Sequence, residues 1–112
     1  DIYLRAQDLS RQFGPDQAQR AIALYRRAVE LDPRFALAWA GMGMACANIV
    51  IRMPQLRKAA FADMDQALLQ AAATAPGTAL GHTADGFRLA CHHDWRGADA
   101  AYAAARAAGR RV

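Results

Sequence analysis

Residues 21–43, Ala-Ile-Ala-Leu-Tyr-Arg-Arg-Ala-Val-Glu-Leu-Asp-Pro-Arg-Phe-Ala-Leu-Ala-Trp-Ala-Gly-Met-Gly, decide the fold. Ala21, Tyr25 and Ala28 stand four and three residues apart. On a helix that spacing makes one stripe, a ring flanked by small side chains that let another helix come close. Pro33 lacks an amide hydrogen and pushes Asp32 out of helical geometry, so the first helix is expected to end near Leu31. A second helix then begins within a few residues and carries Trp39 and Gly43. Glycine inside a helix costs about 1 kcal/mol against alanine, so a glycine kept there points to close helix contact.

The same plan recurs along the chain. Ala21, Tyr25, Ala28 and Pro33 are matched by Met64, Leu68, Ala71 and Pro76 with the same gaps of four, three and five. A third set is Ala98, Tyr102 and Ala105, with Arg110 where proline would fall. The following helices repeat as well: Trp39 and Gly43 stand six and ten residues after Pro33, and His82 and Gly86 stand six and ten after Pro76. Internal repetition of this kind is the sequence mark of stacked helix pairs. The pattern predicts helices over 2–13, 17–31, 36–51, 55–73, 79–91 and 97–108, with Asp16 capping the second and His92-His93-Asp94-Trp95 forming the last turn. About nine extra residues lie between Gly43 and Met64 relative to a standard pair, and they are expected to lengthen the second pair, with Pro54 breaking its first helix. Strand signals are missing, since Ile49-Val50-Ile51 is the one β-branched run and it sits in a helical pattern.

Composition bounds the function. The chain has 112 residues, one domain's worth, and 54% of them are hydrophobic with alanine prominent, which predicts a thin core of close helices. No apolar run reaches the roughly 20 residues of a membrane span. The chain opens on Asp1 rather than methionine, so we expect a piece of a longer protein. Fourteen basic residues against ten acidic give +4, but they are scattered, with Arg26-Arg27 and Arg110-Arg111 as the arginine pairs, which argues against nucleic-acid binding. Cys46 and Cys91 fall in apolar helical stretches, where reduced cysteine acts as a small hydrophobe, so a disulfide is not expected and a reducing, cytoplasmic setting is.

Catalytic signals are weak. Ser10 is the single serine and lacks a nucleophile-elbow context, and Gly41 and Gly43 sit in a helix rather than a phosphate-cradling loop. Cys91-His92-His93-Asp94 places consecutive side chains around a helix end in different directions, whereas zinc wants ligands a turn apart or converging from two elements. No catalytic residue, metal or cofactor is therefore expected. The alanine-rich helices lack large apolar residues opposite lysines, which argues against membrane-surface binding.

The repeated pattern resembles the tetratricopeptide repeat, a helix-turn-helix unit of about 34 residues. The resemblance covers nearly the whole chain, as repeats over 2–35, 36–78 and 79–112. It departs from the pattern at Arg5 and Leu9, at Cys46, at His82 and at the missing last proline. It implies an all-α right-handed superhelix of three helix pairs that acts as a non-catalytic protein-interaction or scaffolding module. A narrower likeness rests on Tyr3-Leu4-Arg5-Ala6, the long second repeat broken by proline, His82, and Asp94-Trp95 before Gly97-Ala98. It is to the C-terminal repeat module of bacterial signalling proteins that carry adenylate-cyclase or winged-helix domains. The alternative function this suggests is a regulatory or oligomerisation segment of such an enzyme.

By the family pattern the concave wall would hold Tyr3, Ala6, Ser10, Leu37, Ala40, Met44, Asn48, Leu80, Thr83, Phe87 and Cys91, facing a protein or peptide ligand or a neighbouring domain of the parent chain. The carboxylate clamp of some relatives is absent, because Ala6, Ser10, Gly41, Leu80 and Ala84 occupy its places. Natural arrays end on a polar helix. Here the last helix is mostly alanine, so its uncovered side is expected to be met by a second copy of the chain or by a seventh helix outside this sequence, with a symmetric dimer through Ala101, Ala105 and Ala108 favoured.

Overall fold

A computed structural model describes residues 1–12 and 14–110. Within them the chain forms six α-helices, α1 (Ile2–Ser10), α2 (Pro15–Leu31), α3 (Ala36–Arg52), α4 (Arg57–Thr74), α5 (Ala79–Cys91) and α6 (Trp95–Gly109). Each packs antiparallel against the next in sequence, giving three successive hairpins. The odd-numbered helices are side by side, α3 touching both α1 and α5, whereas the backbones of α2, α4 and α6 stay apart. A lone ion pair, Arg26 Nη2 to Asp63 Oδ2 at 3.7 Å, crosses from α2 to α4. The radius of gyration is 13.6 Å, close to the roughly 13 Å expected of a compact chain this long.

Local chemistry accounts for the helix ends. Asp1 Oδ1 accepts the amides of Tyr3 and Leu4 and so starts α1. Thr78 starts α5 by accepting the Gly81 amide at 3.1 Å, and Asp94 starts α6 by accepting the Gly97 amide at 2.9 Å. At the other end of α5, His93 takes a left-handed conformation with φ 62. Its amide bonds to the Ala90 carbonyl at 3.0 Å while the Asp94 amide reaches Leu89 at 2.9 Å. That paired closure satisfies two orphan carbonyls and turns the chain directly into α6.

Three boundaries differ from the expectation. Asp16 is no cap: α2 begins one residue earlier at Pro15, whose missing amide costs nothing at a first helical position, and Gly14 precedes it. Trp95 belongs to α6 rather than to the turn, because the cap is Asp94. Helix α1 stops at Ser10, with Arg11 and Gln12 in a turn rather than in the expected extension, whose last residue, Phe13, lies outside the described residues. In the long second hairpin α3 runs to Arg52 and stops before Pro54, as expected, but Pro54–Leu56 make one 3-10 turn and α4 starts at Arg57, two residues later than expected.

The core is thin because the helices approach closely. Ala6, Ala21, Ala38, Ala67 and Ala71 are fully enclosed, and the largest fully buried side chains are Met64, Leu68 and Cys46. The repeated positions make repeated contacts. A Cβ placed on Gly43 would lie 2.7 Å from Leu68 Cδ2, and one on Gly86 would lie 2.8 Å from Tyr102 Cε1. In both hairpins the middle residue of the repeated triplet therefore rests where the facing helix lacks a side chain. The α2–α3 turn is tied by Trp39 Nε1, which donates to the Pro33 carbonyl at 2.8 Å. No helix among the described residues is long and apolar enough to cross a membrane.

Gly43→Ala should destabilise the fold. Overpacking against the enclosed Leu68 costs about 1–3 kcal/mol and exceeds the roughly 1 kcal/mol of helix propensity regained. Gly109→Ala has open space around it and should hold or raise stability. Thermal denaturation of the two variants side by side checks both signs.

Candidate functional site

Helix α3 carries the most exposed apolar surface near the middle of the molecule. Leu37, Met44 and Ile51 are 49%, 54% and 76% exposed, and they stand seven residues apart. Seven residues are nearly two helical turns, drifting only ~20° per step, so the three side chains form one line along α3. From Leu37 to Ile51 that line extends about 21 Å at 1.5 Å per residue.

Beside Met44 lies a cleft of about 250 Å³ lined by Ser10, Ala18, Tyr25, Gly41, Met44, Ala45 and Asn48. Among the described residues no charged side chain lines it. Gly41 makes room for the Tyr25 ring, since a Cβ there would fall 2.5 Å from Tyr25 Cζ. Ser10 Oγ points its hydroxyl at the Tyr25 oxygen across 3.5 Å, long for such a bond. Burial raises the Tyr25 phenol above its ordinary 10.0, opposed by the Ser10 hydroxyl, with Tyr3 adding to the rise and Arg11 countering it. A neutral phenol, a hydroxyl and the Asn48 amide can therefore both donate to and accept from an uncharged group entering the cleft.

Of the wall residues named from sequence, Ser10, Met44 and Asn48 meet at this cleft. Tyr3 is committed to packing, its ring 4.9 Å from Phe35 and 5.9 Å from Tyr25. Leu37 is exposed at the start of α3, while Ala6 is wholly enclosed and faces no ligand. On α5, Thr83 is exposed and Leu80 is half-buried. Phe87 and Cys91 pack partly against the core. Sequence reasoning missed Tyr25 and Gly41 as cleft residues: it assigned Tyr25 to helix packing and read Gly41 as a helix position at an unfilled clamp place. It also missed Ile51 as the end of the α3 line, although the seven-residue spacing was there to be read.

Of the self-association residues, Ala101 and Ala105 are each 8% exposed and lie on the helix that, among the described residues, packs on α5. Ala108 is half-buried. The outward face of α6 instead carries Asp99, Ala100, Ala103, Arg106 and Ala107.

The polar cluster at the end of α5 is a cross-helix tie. His92 Nε2 meets Asp65 Oδ1 of α4 at 2.7 Å, and its ring stands edge-on to Phe61 at 5.2 Å. Among the described residues no group of three or more His, Cys, Asp or Glu side chains is placed to hold a metal ion. Both cysteines are free thiols. Burial pushes Cys46 from its ordinary 9.0 up to about 11, with Asp63 adding to the rise and Arg26 opposing it. Cys91 is also raised, first by burial and then by Asp65. No protein-family model, curated protein or solved structure matches this chain.

A raised thiol pKa means that the folded chain keeps a proton the unfolded one releases. The contribution of Cys46 to stability is thus complete below its ordinary 9.0 and is lost as pH rises toward about 11. In native protein Cys46 should resist a thiol-exchange dye at about pH 8 and react fully once the chain is denatured. Stoichiometric labelling of Cys46 before denaturation would contradict this.

Proposed function

We propose that the chain is a non-catalytic protein-interaction or scaffolding module of a bacterial signalling or regulatory protein acting in the cytoplasm. Its three hairpins form a tetratricopeptide-like right-handed array, with repeats over 2–35, 36–78 and 79–112. The observation that carries the functional reading is the exposed line of Leu37, Met44 and Ile51 beside the uncharged cleft. Large apolar side chains left on one helix face beside a shaped recess are the marks of a contact surface. The repeated seating of Leu68 and Tyr102 on glycines, with α1, α3 and α5 side by side, supports the array.

The partner in this reading is a protein or peptide segment that lays apolar side chains along α3 and sends one uncharged polar group toward Tyr25, Ser10 and Asn48. Leu37→Glu and Met44→Glu should each weaken capture of that partner from the native cell extract about tenfold or more, because a charge would enter a desolvated contact. Both side chains are about half exposed, so far-UV circular dichroism should stay unchanged. Undiminished capture by both variants would move the contact off α3.

A second reading, an oligomerisation segment of an enzyme such as an adenylate cyclase, is favoured by α6, which packs on α5 alone and turns Ala100, Ala103 and Ala107 outward. In this reading two copies pair through that face. Sedimentation should then show a concentration-dependent dimer that Ala103→Glu and Ala107→Glu abolish, and a strictly monomeric wild type would remove the reading.

A further inference from the structure

We propose that the turn between α3 and α4 is a second docking site, separate from the α3 line, that receives an acidic segment of a partner protein carrying aliphatic side chains. Pro54, Arg57, Lys58 and Phe61 surround an open depression of about 470 Å³, inside the ~300–1,000 Å³ range of recesses that accept ligand groups. Its apolar lining is Pro54 and the half-buried Phe61, and both charged members of the lining, Arg57 and Lys58, are cations.

The charge around this turn is one-signed. From Pro33 to Ala62 the chain has no acidic residue, while Arg52, Arg57 and Lys58 cluster at the turn and are exposed. The nearest carboxylates along α4 are engaged elsewhere, Asp63 with Arg26 at 3.7 Å and Asp65 with His92 at 2.7 Å. No ion pair to Arg52, Arg57 or Lys58 occurs among the described residues.

Arg57 is also aimed. Its Nε donates to the Val50 carbonyl at 3.0 Å, one of the last carbonyls of α3 and so without a partner inside the helix. That bond holds the guanidinium by its inner nitrogen and leaves the two outer nitrogens as a fork, the geometry that grips a carboxylate at two points. Lys58, the next residue, supplies a second, mobile charge. Ordering Arg57 beforehand reduces the entropy lost on binding.

The concavity decides between an acidic peptide and an anionic membrane. A bilayer surface is met by a protruding apolar tip, whereas a recess with a cationic rim fits a chain that inserts a side chain and sets carboxylates on either side of it. An aliphatic residue against Pro54 and Phe61, flanked by glutamate or aspartate, fills both features.

The test uses the whole chain and a dye-labelled peptide of alternating glutamate and leucine, followed by fluorescence anisotropy at low and high salt. We expect binding that weakens with salt, as exposed ion pairs do, and none to the peptide with glutamine in place of glutamate. Arg57→Ala and Lys58→Ala should each weaken binding about fivefold or more. Arg57→Lys, which keeps the charge and loses the Nε bond to Val50, should fall between wild type and Arg57→Ala. Arg20→Ala, an exposed arginine on α2, should leave affinity unchanged, and circular dichroism should show all variants folded. Equal losses from Arg20→Ala and Arg57→Ala would reduce the effect to overall charge and overturn the site. So would equal binding of the glutamine peptide, no binding of the glutamate peptide, or attachment to phosphatidylserine vesicles without peptide binding. Because Leu37→Glu and Met44→Glu lie outside the depression, they should not change peptide affinity, which separates this site from the α3 contact.

Discussion

The structure depends on bringing helices together where one of them has no Cβ. Alanine-rich helices have little volume with which to fill a gap, so stability must come from short distance rather than from large side chains. Gly43 under Leu68 and Gly86 under Tyr102 supply that distance in two hairpins, and Gly41 under Tyr25 supplies it between α2 and α3. Each glycine gives up helix propensity, and each gains the packing of a larger side chain that would otherwise prop the helices apart. The enclosed alanines on either side, Ala21 and Ala28 about Tyr25 and Ala71 beyond Leu68, are the neighbours that this approach makes possible.

The same constraint shapes the surface. Helix α3 lies between α1 and α5 and uses its small residues, Ala38, Gly43, Ala45 and Ala47, for contact with neighbours. Its large residues are therefore divided between core and solvent. Met42 and Ile49 turn inward, while Leu37, Met44 and Ile51 turn out. A helix with small residues on several sides can be central to the packing and still present apolar groups to a partner. The cleft at Tyr25 has the same origin, since the recess at Gly41 that admits the ring brings Tyr25 into one lining with Ser10 and Asn48.

Much of this was legible in the residues, for reasons that differ from element to element. The span of α5 was readable at both ends because Pro76-Gly77-Thr78 and His92-His93 act locally, through a cap and a left-handed turn. The start of α2 was misread because Asp16 is a plausible cap by type, and only geometry shows Pro15 already helical. Met44 and Asn48 were readable as surface from the repeat pattern. Ile51 was hidden because a β-branched run near the end of a helix looks like core, and its neighbours are in fact more enclosed. For α6, the alanine count signalled a helix short of cover but not which alanines face α5. Nearly uniform side chains carry no hydrophobic stripe to orient the helix, so the enclosure of Ala101 and Ala105 was not legible.

The pairing of each helix with its sequence neighbours has a consequence for how the chain folds. Contacts that close between adjacent helices involve short loops, and the conformational entropy lost in forming them is small. Chains built from such local contacts fold in microseconds to milliseconds, without waiting for distant segments to meet. The hairpin of α3 and α4 joins two long helices over the most extensive contact between any pair and is the natural nucleus for folding. Local opening free energies follow the density of such contacts, so the α3–α4 hairpin is expected to be the slowest part of the chain to exchange its amide hydrogens.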